Sequence, residues 1–172
     1  ALRCYVTSPY ELDRLVVSYD RSIAPGYAWM FPVGNGEVNV GCGVVYRKDA
    51  HRKLNLREML NRFLASFPLA KELMQRSKEM SPLAGAPLRC SLTGAHILSK
   101  DRIVAIGESI GSTFPFTGEG IGKAMETAEL AAKAIVTALR TGKLDELQEL
   151  PRRIRSELLP RYRGYELAEL EH

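Results

Sequence analysis

Tyr27-Ala28-Trp29-Met30-Phe31-Pro32-Val33-Gly34-Asn35-Gly36-Glu37-Val38-Asn39-Val40-Gly41-Cys42-Gly43 is the stretch on which the fold turns. Bulky residues at 27, 29, 31 and 33 alternate with Ala28, Met30 and Pro32, the period of two that marks a strand. Asn35-Gly36 follows, a pair that tolerates the positive φ angles of a tight hairpin turn, so Glu37 to Tyr46 is expected to pair back on the first strand. Spacing of two places Tyr27, Trp29 and Phe31 on one face, a π-rich wall that suits an elongated apolar ligand or, alternatively, a core packed under a helix. Gly41 and Gly43 leave the second strand bare, which marks a bulge or a close approach of ligand or backbone. Cys42 between them has no base near it in sequence and reads as a small buried hydrophobe.

The register of this hairpin carries a specific expectation. A plain two-residue loop would set Trp29 opposite Cys42 and Phe31 opposite Val40. It would also put Pro32 at a site bonded to Asn39, where proline has no N–H to give. A shift of one residue turns Gly41 and Gly43 onto the face of Tyr27, Trp29 and Phe31. The sequence therefore predicts a loop longer than two residues, with the glycines as the floor of a ligand cavity.

Outward from the hairpin, Arg3 to Thr7 and Leu15 to Tyr19 also read as strands. Leu56, Met59, Leu60, Phe63, Leu64 and Phe67 recur at three and four, an amphipathic helix that Pro68 interrupts before Leu69 to Met74 resume it. Ser81 to Thr93 is punctuated by Pro and Gly and suits a strand or two with turns. Ile103 to Ile106 reads as a short, fully buried strand. Ile121, Ala124, Met125, Ala128, Ala131, Ala132, Ile135, Ala138 and Leu139 draw a stripe at helical spacing that Gly142 should stop, and Leu144 to Leu159 continues as helix despite Pro151. The expected class is α+β, an antiparallel sheet with packed helices.

At 172 residues, 45% hydrophobic and 26% charged, the chain has the composition of a globular domain rather than of a disordered or collagen-like one. No apolar run approaches the roughly 18 residues of a membrane span. Cys4, Cys42 and Cys90 are odd in number and far apart, which excludes a disulfide framework and a C-x-x-C site and suits a reducing, cytoplasmic setting, with peripheral contact at a membrane surface as a further expectation. The 24 basic and 20 acidic residues give a net charge of +4. Arg152, Arg153, Arg155, Arg161 and Arg163 interleave with Glu157 and Tyr162 without an aromatic platform, so nucleic acid is not an expected partner. Arg47, Lys48, His51, Arg52, Lys53 and Arg57 could meet phosphates or simply be solvated, and His96 reads as structural. No metal-ligand spacing is present.

The second chemistry-bearing stretch is Gly107-Glu108-Ser109-Ile110-Gly111 with Pro115-Phe116-Thr117-Gly118-Glu119-Gly120-Ile121-Gly122. A strand ends in a glycine and a carboxylate, and a glycine-rich turn opens a long helix. The N–H groups and positive dipole end at that helix start suit an anion or the electron-rich edge of a heterocycle, and Gly118, Gly120 and Gly122 let a flat ring approach the backbone. Glycines placed for close packing of a capped helix are the alternative.

Taken together, Tyr-x-Trp-x-Phe-Pro at 27–32, Gly-x-Gly at 41–43 and the glycine-rich stretch at 107–121 resemble the geranylgeranyl reductase family of flavoproteins, within the group resembling p-hydroxybenzoate hydroxylase, over about residues 3 to 140. The resemblance implies that Tyr27, Trp29, Phe31, Pro32, Gly41 and Gly43 line the cavity for the isoprenoid or lipid substrate. It implies that Gly107, Glu108, Gly111, Pro115, Thr117, Gly118, Glu119, Gly120 and Ile121 bind FAD, with Glu108 toward the ribityl and pyrophosphate region and Pro115 to Ile121 toward the isoalloxazine ring. Where the family has Asp followed by two small residues, this chain has Glu108, Ser109 and Ile110, one side chain longer by a methylene and another bulkier than alanine. The implied activity is FAD-dependent reduction of carbon–carbon double bonds in a polyisoprenoid or isoprenoid lipid, with an unidentified electron donor. No catalytic acid can be named.

The G-x-G-x-x-G that cradles the ADP pyrophosphate in such enzymes does not occur here. The chain accordingly reads as the C-terminal part of a two-domain FAD enzyme, expected to be inactive alone and to bind FAD weakly without the N-terminal FAD-binding half. Its expected organisation is 1–100 for the substrate-binding sheet and helices, 101–142 for the closing segment of the FAD site, 143–169 for a helical tail, and 170–172 for a tag remnant. Residues 102–107 would be a strand joining the dinucleotide-binding sheet. Two rivals remain: a FAD-dependent aromatic hydroxylase, which would need a compact polar pocket, and a non-catalytic isoprenoid-binding module, which would bind without flavin.

Overall fold

The computed structural model describes residues 1–44, 54–92, 99–115 and 117–170. The chain divides into two compact units, Ala1–Pro87 and Leu88–His172. The boundary expected after residue 100 falls inside the second unit, because residues 90–92 are bound to the glycine-rich segment: Ser91 N–H donates to Thr113 O at 3.2 Å and Leu92 N–H to Gly111 O at 2.8 Å.

The first unit is an antiparallel sheet of β1 (Leu2–Thr7), β2 (Val16–Ser18), β3 (Gly26–Gly34), β4 (Glu37–Val44), β5 (Glu79–Met80) and β6 (Ala84–Gly85), ordered β2-β3-β4-β1-β5, with β6 also on β1. Two helices, α1 (Leu56–Ser66) and α2 (Pro68–Gln75), cover one face. Asn55 caps α1 by accepting from the N–H groups of Arg57 and Glu58, and Pro68 opens α2 at a position where its missing N–H is not needed. Cys4, Val6, Ala28, Met30, Val38, Val40 and Cys42 meet Met59, Leu60, Phe63, Ala70 and Leu73 in the core. The core therefore takes the small and flexible residues of β3, and the rings at 27, 29 and 31 face the other way.

The β3–β4 register is the shifted one. Trp29 lies opposite Gly41, Tyr27 opposite Gly43 and Phe31 opposite Asn39. Its cause differs from the expected long loop. Gly34 pairs with Glu37, so Asn35-Gly36 is a two-residue turn with φ of 53° and 74°, and the shift comes from a bulge between Pro32 and Gly34 that leaves Val33 unmatched. One extra residue in β3 reverses the facing of everything before it.

The second unit holds a short hairpin, β7 (Ser99–Lys100) with β8 (Ile103–Val104), and helices α3 (Ile121–Thr141) and α4 (Asp145–Leu170). Gly142 ends α3 in the left-handed conformation, φ 70°, as its place in the sequence predicts. Ile103–Ile106 is not a fully buried strand: β8 spans two residues, pairs only with β7 among the described residues, and leaves Ile103 74% exposed. The stripe on α3 is also corrected. Leu130, Ala131, Ala134 and Ala138 enter the core with Lys123 and Thr127, while Ile121, Met125, Ile135 and Leu139 face outward. A helix so rich in alanine has apolar residues on two faces, and spacing alone cannot tell which is covered.

Candidate functional site

In the first unit the uncovered sheet face carries a ladder of rings. Tyr19, Tyr27, Trp29 and Phe31 follow one another with centroid separations of 5.9, 5.8 and 6.2 Å. Val17 is opposite Trp29 on β2 and half exposed, extending the apolar strip. Such a ladder outside the core is the larger exposed apolar surface that marks a ligand or partner site. Trp29 Nε1–H donates to Asn39 Oδ1 at 2.8 Å, which satisfies the indole and fixes its tilt.

The glycines serve this wall from beneath. A Cβ on Gly41 would lie 2.3 Å from Trp29 Cζ2 and 2.6 Å from Leu2 O; one on Gly43 would lie 3.6 Å from the Tyr27 ring. Gly41 and Gly43 are thus on the aromatic face, as the register requires, but buried under the rings. The open floor expected beside Trp29 is filled by its own indole, and a ligand would meet the outer faces of the rings. Pro32 is half-buried next to the bulge. Cys42 points to the opposite, core face, where its Sγ donates to Leu56 O at 3.4 Å and burial pushes the thiol up to about 11. At pH 8 Cys42 and Cys4 should resist iodoacetamide while Cys90, less buried, is alkylated first; mass mapping of the modified peptides checks this.

In the second unit the glycine-rich stretch forms a compact turn. Gly107 adopts φ +64° with its N–H given to the buried Thr127 Oγ1 at 3.0 Å, and a Cβ there would press on Ala124 Cβ at 3.2 Å. Residues 107–110 make one 3-10 turn closed by Gly111 at φ 74°, and Glu108 stands exposed on it. Further along, Phe114 N–H donates to Glu119 O and Gly118 N–H to Phe114 O, both at 3.0 Å, with Glu119 N–H on Thr117 Oγ1 at 3.2 Å. Pro115 is half-buried beside them. Gly120 caps α3 without a side-chain hydrogen bond, so the first N–H groups of a 21-residue helix, beginning at the exposed Ile121, are left to other partners. Glu119 Oε1 hangs over that start, 2.7 Å from where a Cβ of Gly122 would be.

Sequence reading missed the supports of this turn. Lys123, 7% exposed, lays its ammonium 4.4 Å from the Phe114 ring centroid and 2.5 Å from Glu126 Oε1, and Arg161 of α4 holds Glu126 Oε2 at 3.2 Å. Tyr162, fully buried, packs on Phe114 at 4.7 Å and donates its hydroxyl to Ser112 O. Lys123 stands alone between Gly122 and Ala124 and Tyr162 between two arginines, placements that ordinarily signal solvent and gave no pattern to mark them. Arg47, Lys48, His51, Arg52, Lys53, His96 and Phe116 lie outside the described residues. Among the described residues no group of three His, Cys, Asp or Glu side chains could hold a metal, and no helix is long and apolar enough to cross a membrane.

Residues 3–80 match the family model of the geranylgeranyl reductase catalytic domain. The chain is 28% identical over 145 residues to the menaquinone reductase of Mycobacterium tuberculosis, covering 78% of this chain and 34% of that protein. It is 34% identical over 127 residues to the digeranylgeranylglycerophospholipid reductase of Methanoculleus marisnigri, covering 70% and 28%. It spans about a third of the length of the curated relatives it matches. The solved structure of a geranylgeranyl bacteriochlorophyll reductase-like protein from Thermoplasma acidophilum has the same fold over 91% of this chain and 39% of that one, with a TM-score of 0.60 at 18% identity. Through its catalytic-domain match at 3–80, and through reductases aligned over about three-quarters of its length, the chain is similar to the geranylgeranyl reductase family.

Proposed function

We propose that this chain forms the substrate wall and one flank of the flavin site of a FAD-dependent reductase that saturates carbon–carbon double bonds of a polyisoprenoid or isoprenoid lipid. The observation that carries the reading is the outward ladder from Tyr19 to Phe31, seated on glycines and turned away from the core. Its rings offer a long apolar track and no compact polar pocket, which favours an isoprenoid over the small aromatic acid of a hydroxylase. Trp29 is bonded to Asn39 and only half-buried, which leaves part of its ring for a chain laid along the sheet.

The second unit suits FAD in the chemistry of its donors. The α3 start lacks a side-chain cap, Gly118 adopts φ +68°, and Glu108 is exposed on a turn locked by Gly107 and Gly111. Glu108 would hold the ribityl hydroxyls, and the N–H groups after Gly120 would face the electron-rich edge of the isoalloxazine, where they favour negative charge. FAD, when bound, supplies the hydride. The remaining FAD contacts, above all those to the pyrophosphate, would come from an N-terminal FAD-binding half, and the electron donor is a further partner of the whole enzyme.

Trp29→Ala in the full-length enzyme tests the reading. Turnover of a geranylgeranyl substrate should fall about tenfold or more, since a wall aromatic contributes in the range of 1–3 kcal/mol. The thermal midpoint should move far less than the 3–5 kcal/mol loss of a core Trp→Ala would require. Unchanged activity per folded molecule would overturn the assignment of the wall.

A further inference from the structure

The same sheet face carries a cation that the aromatic wall does not explain. Across one row the register runs Trp29, Gly41, Arg3, and across the next Phe31, Asn39, Tyr5. Arg3 is half-buried and its guanidinium stacks 4.7 Å from the centroid of the Tyr5 ring. Among the described residues it makes no ion pair. The acidic residues paired into this face of β1, Glu37 and Glu79, both stand opposite Thr7, four residues away along the strand and so about 13 Å off. Asn39 spends its carbonyl on Trp29, which leaves its amide N–H groups as donors between the wall and Arg3.

We propose that Arg3, held over the Tyr5 ring and one row from Asn39, binds the phosphate of an isoprenoid amphiphile whose hydrocarbon chain lies on the Tyr27–Trp29–Phe31 wall. This rests on the isoprenoid reading of the wall and adds the polar end of the ligand and its orientation, with the chain over β2 and β3 and the head over β1. Two strand spacings separate Trp29 from Arg3, about 10 Å, so one ligand can touch both. Gly41, between them, raises no side chain to divide the track. A guanidinium is planar, weakly hydrated and forked, the shape that takes a phosphate through two parallel N–H···O bonds, and stacking on a tyrosine holds its plane without using its donors.

Trp29 is the single tryptophan of the chain, so its emission reports directly from the wall. The chain, as wild type and as Arg3→Ala and Arg3→Gln, is titrated with geranylgeranyl monophosphate, with geranylgeraniol and with inorganic phosphate. Wild type is expected to bind the monophosphate about tenfold more tightly than the alcohol, the effect of one partly solvated charge-assisted contact. Both variants should lose that preference and keep the affinity for the alcohol, and inorganic phosphate should neither shift the emission nor displace the monophosphate at matched concentration. A preference that survives both substitutions overturns the role of Arg3 while leaving the wall in place. Displacement by inorganic phosphate at matched concentration overturns it in favour of a free-anion site. No emission change with either isoprenoid overturns the wall reading and this inference with it.

Discussion

Gly41→Ala should lift the indole of Trp29 off the sheet, whereas Gly43→Ala, one row away on the same strand and face, should be nearly silent. A methyl at 41 would stand 2.3 Å from Trp29 Cζ2 and 2.6 Å from the backbone carbonyl of Leu2; the ring can move, but β1 cannot without disturbing its pairing with β4. A methyl at 43 meets the Tyr27 ring at 3.6 Å, an ordinary contact. The expected cost of the first substitution is about 1–3 kcal/mol, that of overpacking. In a unit of 87 residues, that lowers the thermal midpoint by roughly 4–8 °C per kcal/mol. The emission of Trp29 should shift as the indole loses its bond to Asn39, and titration with geranylgeraniol should weaken. Equal effects at 41 and 43 would mean that the glycines act through strand entropy alone and do not seat the rings.

That contrast also shows where the sequence is legible and where it stops. Period two at 27–32, the turn at Asn35-Gly36 and the helix interrupted at Pro68 were readable because each depends on neighbours in the chain. The facing of Trp29 was readable because Pro32 cannot give an N–H and so disfavours the alternative register. The bulge at Val33 was not: a longer loop and one extra strand residue produce the same facing, and only the pairing of Gly34 with Glu37 separates them. Whether Gly41 opens space or is covered depends on a χ angle of Trp29 set by Asn39, a partner ten residues away. In the second unit the glycine-rich turn was marked by its residues, yet what steadies it comes from Lys123 and Tyr162, whose partners are distant or whose residue types signal solvent.

Tyr162 is where that hidden support can be broken most directly. Its ring is fully buried against Phe114 and its hydroxyl satisfies the carbonyl of Ser112, in the segment between Gly111 and Pro115. Tyr162→Phe keeps the ring and leaves that carbonyl buried without its donor, a loss of about 1–3 kcal/mol. Tyr162→Ala also opens a cavity beneath Phe114, and truncations of this size remove about 3–5 kcal/mol. Burial first, then Glu126, Glu119 and Cys90, push the phenol up to about 12, so the hydroxyl remains a donor throughout the neutral range. Because the folded value lies above the ordinary one near 10, this contribution is complete below pH 10 and is lost as pH rises toward 12. In hydrogen exchange, Tyr162→Phe should speed the amides of Leu92, bonded to Gly111, and of Phe114 and Gly118, whose bonds close the turn. Wild-type protection should fade over the same alkaline window. Exchange at those amides unchanged in both variants would show that the turn holds itself and that α4 contributes nothing to its shape.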